Sequence, residues 1–312
     1  MLIGLPSIVA QTAYVLVLSM LLPAALSRAR WVLRSPRLAI TVWQALSAAW
    51  LLSLVLLGLT LAQRVIEHLA WPAGEPPVTG GEWSIAATGL AIAAAIVTRA
   101  GFVVVRELAW ARRQRSSHAL ALSLAGTPAD LLGATIVEHD TPAVYSLPTA
   151  GRRNTVVISR GALRVLTDRQ LAAVVAHEHG HLRLHHHRVI AIAGALELAF
   201  PRVPLLRIGR EQIELLAEMA ADYHARRDHT SDTLAGALLA LATAPTPRHA
   251  LGASGHTVTS RLRRMFSSTR PLPAPARAAT LTTAAGAVGL PAALSCTTVF
   301  AAVGVVAGRV LS

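Results

Sequence analysis

Four stretches of the chain run predominantly apolar for more than 20 positions, at residues 1–27, 38–63, 83–105 and 278–308. A helix of about 20 apolar residues crosses a bilayer core, so each stretch predicts a spanning helix. Only the third carries a charge, Arg99. A lone arginine is costly in lipid, which predicts either a polar partner for it or a snorkelling position near the membrane surface. Between the third and fourth stretches the pattern changes. Residues 143–147 and 155–159 are short β-branched runs separated by Pro148, Gly151 and Asn154, and predict a β-hairpin. Thr167 and Gln170 stand three apart before an apolar run, a capping-box signature that starts a helix near Thr167 and carries it to about His185. Residues 189–200 are too short to cross a membrane and contain Glu197, so they predict a buried or interfacial helix, ended by Pro201 and Pro204. Residues 211–222 lack Gly and Pro and predict another helix, as do 232–243. Residues 245–260 read as a loop and 267–277 as a linker.

The fold expected is therefore a mainly α membrane protein: about four transmembrane helices with a small α+β domain between the third and the fourth. Three regions follow. Residues 1–115 hold three spans, 116–270 the α+β domain, and 271–312 a linker and the last span. Composition agrees, since 53% of the chain is apolar and only 14% charged, which argues against an ordinary soluble protein. A cleaved signal peptide is not expected, because no basic residue precedes the first apolar run.

Charge sets the orientation. Arg28, Arg30, Arg34 and Arg37 follow the first stretch, Arg106, Arg112, Arg113 and Arg115 the third, and Arg261, Arg263, Arg264, Arg270 and Arg277 precede the fourth. The loop after the second stretch carries one Arg and three Glu. Basic short loops stay cytoplasmic, so the N-terminus is expected outside and the α+β domain in the cytoplasm of a multi-pass plasma-membrane protein. The net charge of +13 comes entirely from arginine, with no lysine. These arginines cluster beside the spans, where they face anionic lipid, and no nucleic-acid motif accompanies them. The lone Cys296 lies inside the last span and reads as a small packed residue.

The chemistry sits in His177-Glu178-His179-Gly180-His181. On a helix, residues four apart share a face, so His177 and His181 can both turn a ring nitrogen to one metal ion, with Glu178 beside them as general base. His179 faces away. Such a site needs a third protein ligand and leaves a fourth position for water. Glu218 and Asp222, also four apart, supply the candidates: one to bind the metal, the other to fix the tautomer of a ligand histidine. His185, His186 and His187 read as a solvated helix end rather than a second metal site.

The stretches Tyr145-Ser-Leu-Pro148, Val157-Ile-Ser-Arg-Gly161, 171–181 and Glu218-Met-Ala-Ala-Asp222 resemble the membrane zinc metallopeptidases of the BlaR/MecR antirepressor type and the related HtpX/CAAX-protease type, of gluzincin pattern. The resemblance implies one Zn²⁺ per chain held by His177, His181 and Glu218, with Glu178 as catalytic base and Asp222 behind a ligand. Antirepressor-type members often carry an acidic residue five positions after the second histidine; here that residue is His186. Tyr223 and His224 are candidates to stabilise the transition state, or simply to pack. The hairpin strand beside the motif helix is a candidate to bind an extended substrate by edge pairing.

The expected activity is zinc-dependent hydrolysis of peptide bonds in a protein or peptide. The resemblance implies regulatory cleavage of a cytoplasmic repressor or of the chain itself. HtpX-like quality control of membrane proteins is the alternative, and a zinc-binding scaffold without catalysis a third reading, one that leaves Glu178 without a purpose. Since few residues follow the last span, direct β-lactam sensing through an outside domain is not expected.

Overall fold

The computed structural model describes residues 5–70, 77–129, 133–149, 154–243, 261–266 and 272–310. The first span is not one regular helix. It divides into α1 (Leu5–Leu16), a π-helical turn (Val17–Leu21) and α2 (Leu22–Arg28). Pro23 explains the break: it has no N–H to give to Ser19 and its ring crowds that carbonyl. The widened turn is held from the side, where the Trp50 indole donates to Ser19 Oγ at 2.8 Å. After the short α3 (Arg30–Arg34) comes α4 (Pro36–Ala70), then α5 (Gly80–Ala125). Four segments are long and apolar enough to cross a membrane: Leu5–Arg28, Pro36–Gln63, Gly80–Ala125 and Ala274–Ser295.

Helix α5 is longer than the third apolar stretch. It continues unbroken through residues 106–125, whose Arg, Glu, Leu, Ala and Gln favour helix and contain neither Gly nor Pro. Position 115, where the first region was expected to end, thus lies inside a helix. Arg99 on α5 finds a polar partner: its Nε donates to the backbone carbonyl of Ala199 at 2.6 Å. That carbonyl ends helix α8 (His186–Ala199), where carbonyls lack helical partners and a cation is favoured. Helices α4 and α5 approach closely where Gly58 faces Gly89, since a Cβ on Gly58 would stand 2.6 Å from the Gly89 carbonyl oxygen.

The strands form one four-stranded sheet in the order β1-β2-β4-β3. The expected hairpin is there: β3 (Val144–Leu147) pairs antiparallel with β4 (Thr155–Ser159). Two strands were not anticipated, β1 (Thr127–Ala129) and β2 (Ala134–Val137), and β2 runs parallel to β4. At three and four residues they are too short to show a periodicity. Strand β3 lies at the sheet edge, and beyond it runs the motif helix. Helix α6 (Arg160–Val165) leads to α7 (Asp168–Arg183), which starts with the expected capping box between Thr167 and Gln170. Helices α9 (Pro204–Ala225) and α10 (Ser231–Thr243) complete the domain, and a C-terminal helix covers Ala274–Val310. The loop expected over 245–260 and part of the expected linker lie outside the described residues.

The core joins the two halves. Trp43 of α4 is fully buried with Leu205, Leu216 and Met219 of α9 in one cluster that also takes in Leu18 and Val32. Helix α9, which carries Glu218 and Asp222, is thus packed directly on the membrane-type helices. A smaller cluster, with Val156, Ile158, Val174 and Val175, binds the sheet to α7.

Candidate metal centre

Two helices form the centre. On α7, His177 and His181 lie one turn apart on the face turned to α9. Gly180 lets α9 come near, since a Cβ there would stand 3.1 Å from the Cβ of His224 and 3.2 Å from the Cα of Ala221. This approach brings Glu218 to the two histidines. His177 Nε2 and His181 Nε2 are 3.1 Å apart. Glu218 Oε2 is 3.5 Å from the first and its Oε1 3.4 Å from the second. Ligand atoms at 2.0–2.1 Å from a tetrahedral ion stand about 3.4 Å apart. The separations lie near that spacing, the two Glu218 distances belonging to its two oxygens, and one ligand atom from each of the three residues lies within 4.8 Å of the others, a group that could hold an ion.

Electrostatics point the same way. Burial opposes charge on His177, but Asp222 and Glu218 outweigh it and push its pKa up to about 9. Burial and the neighbouring His177 push His181 down to about 4. Glu218 loses solvation too, yet His177 and Arg261 hold it down to about 2. The cage therefore draws in positive charge between converging nitrogens and carboxylates, which a divalent ion satisfies better than one proton. The residues present fit a metal ion.

Asp222, buried, stands behind the cage with Oδ1 3.0 Å from His177 Nδ1, the N–H axis lying off the direct line. Glu178 follows His177 on α7. Its Oε2 accepts the backbone N–H of Ser146 at 2.8 Å, so the edge strand β3 holds the carboxylate in place. Burial raises the pKa of Glu178, against the pull of His177 and Ser146. A carboxylate made more basic takes up a proton more readily.

Three participants were missed in the sequence. Arg261 was counted as one of the basic residues flanking the last span. It is buried instead, with Nη2 2.6 Å and Nε 3.0 Å from the two Asp222 oxygens and Nη1 2.9 Å from Glu218 Oε2. Nothing in Ser-Arg-Leu-Arg-Arg marks it out from Arg263 or Arg264. Ser146 acts through its main chain, which leaves no side-chain signal.

His186 is the third, and a correction. It does not belong to a solvated helix end. Helix α7 stops at Arg183, His185 adopts a left-handed conformation (φ 54°, ψ 36°), and the chain turns back into α8. His186 is thereby carried beneath His181, 2% exposed, with the two Nδ1 atoms 3.0 Å apart. Burial and His181 depress its pKa to about 3, so it is neutral. If His181 binds metal through Nε2, its proton sits on Nδ1 and His186 Nδ1 accepts it. His185 is exposed, as expected of a helix end.

Tyr223 is 57% exposed and His224 packs against Gly180. Among the described residues neither shares a hydrogen bond or ion pair with the cage.

An HExxH helix, a second helix bringing a glutamate to it and the motif's own carboxylate held by an edge strand are the features of a metallopeptidase. The sequence model for peptidase family M48 matches residues 107–262, half of the chain, and the chain belongs to that family of metallopeptidases, which hydrolyse peptide bonds. No curated protein and no solved structure matches the chain significantly.

Proposed function

We propose that this chain is a membrane-embedded, zinc-dependent endopeptidase with one Zn²⁺ held by His177, His181 and Glu218. The observation that carries the reading is the trio of separations in the cage, 3.1, 3.4 and 3.5 Å. Zinc would supply Lewis acidity there, lowering the pKa of water and polarising a carbonyl. Glu178 takes the proton of the attacking water and delivers it to the leaving amide nitrogen. Asp222 fixes the tautomer and ring angle of His177, and Arg261 keeps Asp222 charged. Strand β3 lies at the sheet edge next to Glu178, which supports binding of an extended substrate by edge pairing. Tyr223 and His224 are then the nearest candidates on α9 to assist the transition state.

In this reading the N-terminus is outside and the peptidase half faces the cytoplasm of the plasma membrane, as the basic loops indicate. The substrate is a protein, and the role regulatory cleavage of a cytoplasmic repressor or of the chain itself. Glu178→Gln is the test. The variant keeps its zinc and loses hydrolysis of a casein-derived peptide by about a hundredfold or more. Hydrolysis near the wild-type rate would remove Glu178 as base. Cleavage confined to one or two bonds fits regulation, whereas wide cleavage of unfolded membrane proteins fits quality control.

A further inference from the structure

Behind the metal cage, toward the membrane-type helices, lies a cavity of about 1370 Å³. Eight arginines line it, against a single carboxylate, Asp222, which Arg261 already engages. These arginines come from distant parts of the chain: the α3–α4 junction, the end of α7, the end of α9, the segment at 261–266 and the start of the C-terminal helix. Among the described residues, no carboxylate lies within ion-pairing distance of Arg37, Arg183, Arg226, Arg227 or Arg277. Burial, with a further contribution from the nearby Arg226, lowers the pKa of Arg264.

Like charges that converge on one concavity repel one another unless an anion enters it, and a cleft of one sign concentrates such an anion. Part of the lining is apolar. Leu38 and Ile40 of α4 and Leu281 of the C-terminal helix belong to it, beside Arg37 and Arg277 of the same helices, and both helices are candidate spans. A ligand suited to such a lining has an anionic head and an apolar tail. Guanidinium groups favour phosphate oxygens, which they can engage in bidentate pairs.

We propose that this cavity is a binding site for a phosphate group, carried by an anionic phospholipid whose head enters among the arginines while its chains lie along α4 and the C-terminal helix. The cavity adjoins the cleavage centre, sharing Asp222, Arg261 and His186 as lining, but holds none of His177, Glu178, His181 and Glu218, and it stands whichever bond the enzyme cuts. It differs from general attraction of basic loops to a membrane, because it depends on arginines that share one cavity.

The test uses the full chain in dodecylmaltoside and counts bound molecules by native mass spectrometry. The probes are phosphatidylglycerol, phosphatidylcholine and inorganic phosphate. The cavity variant is Arg37→Gln/Arg226→Gln/Arg277→Gln, three exposed side chains whose loss spares the core. The control is Arg106→Gln/Arg112→Gln/Arg113→Gln, which removes equal charge outside the cavity; helical circular dichroism confirms the fold of both. Phosphatidylglycerol should bind saturably and in preference to phosphatidylcholine, weaken about a hundredfold in the cavity variant, and keep its affinity in the control. Saturable binding of inorganic phosphate instead, lost only in the cavity variant, supports the site and assigns it a soluble ligand. Equal losses in the two variants, equal binding of the two lipids, or no saturable binding of any probe would overturn the proposal.

Discussion

His177 and His181 lie one turn apart on the same helix and face the same point, yet they are backed by opposite chemistries. Behind His177 stands a carboxylate, Asp222, itself clamped by the buried Arg261. Behind His181 stands a neutral imidazole, His186. One histidine is held by a chain of charges, the other by a chain of dipoles. Their basicities differ as well: against burial, Asp222 and Glu218 push His177 up to about 9, whereas burial and the neighbouring His177 push His181 down to about 4. A metal ion held between them, as proposed, would meet two unequal donors, the His177 side being the more electron-rich. In a cage of this kind the groups behind the ligands tune the metal as much as the ligands themselves.

The contrast yields predictions of decreasing size. Asp222→Ala should be the most damaging. It strips His177 of its orienting carboxylate and leaves Arg261, 7% exposed, with Glu218 alone. Metal affinity should fall by about a hundredfold, and the metal-free protein should lose roughly 3–5 kcal/mol, as expected when one partner of a buried pair is removed. Competition with a chelator and thermal unfolding measure the two effects. Unchanged values in both would show that the charged side does no more than the neutral one.

Acidity sharpens the same contrast. Without metal His177 keeps its proton up to about pH 9, whereas His181 has lost its own above about 4. Metal binding must therefore displace one proton, from His177, and affinity should rise about tenfold per pH unit from neutrality to about 9, then level off. A flat profile over that range contradicts the raised basicity of His177. In Asp222→Ala the levelling should move to lower pH.

His186→Leu should cost less, about tenfold in metal affinity, because no buried charge is stranded. His186→Asp places a carboxylate behind both histidines and should bind metal at least as tightly as the wild type. If leucine costs as much as Asp222→Ala, the two sides are equal and the comparison fails.

What the sequence discloses about this centre follows the range of the interactions. The motif helix was legible because its signals are local: the capping pair Thr167 and Gln170, the apolar run, and two histidines four apart. Glu218 and Asp222 were legible as a pair for the same reason, and the resemblance then divided their roles. Arg261 was not, because it closes on Asp222 from 39 residues further along with no pattern in its own neighbourhood. His186 was misread because a non-glycine residue, His185, adopts a positive φ, which local preference disfavours. The spans were legible from apolar length alone, but the sharing of a core between Trp43 and α9 was not, since helix composition does not name the partner of a buried face. The brief β1 and β2 acquire their strand character from pairing with one another and with β4, not from their own residues.

The central claim is that two helices hold one metal through His177, His181 and Glu218. Metal analysis of the detergent-purified wild type beside Glu178→Gln and Glu218→Ala tests it most directly. The account predicts one zinc per chain in the first two and a loss of zinc in the third. Zinc absent from the wild type, or retained in full by Glu218→Ala, would contradict it.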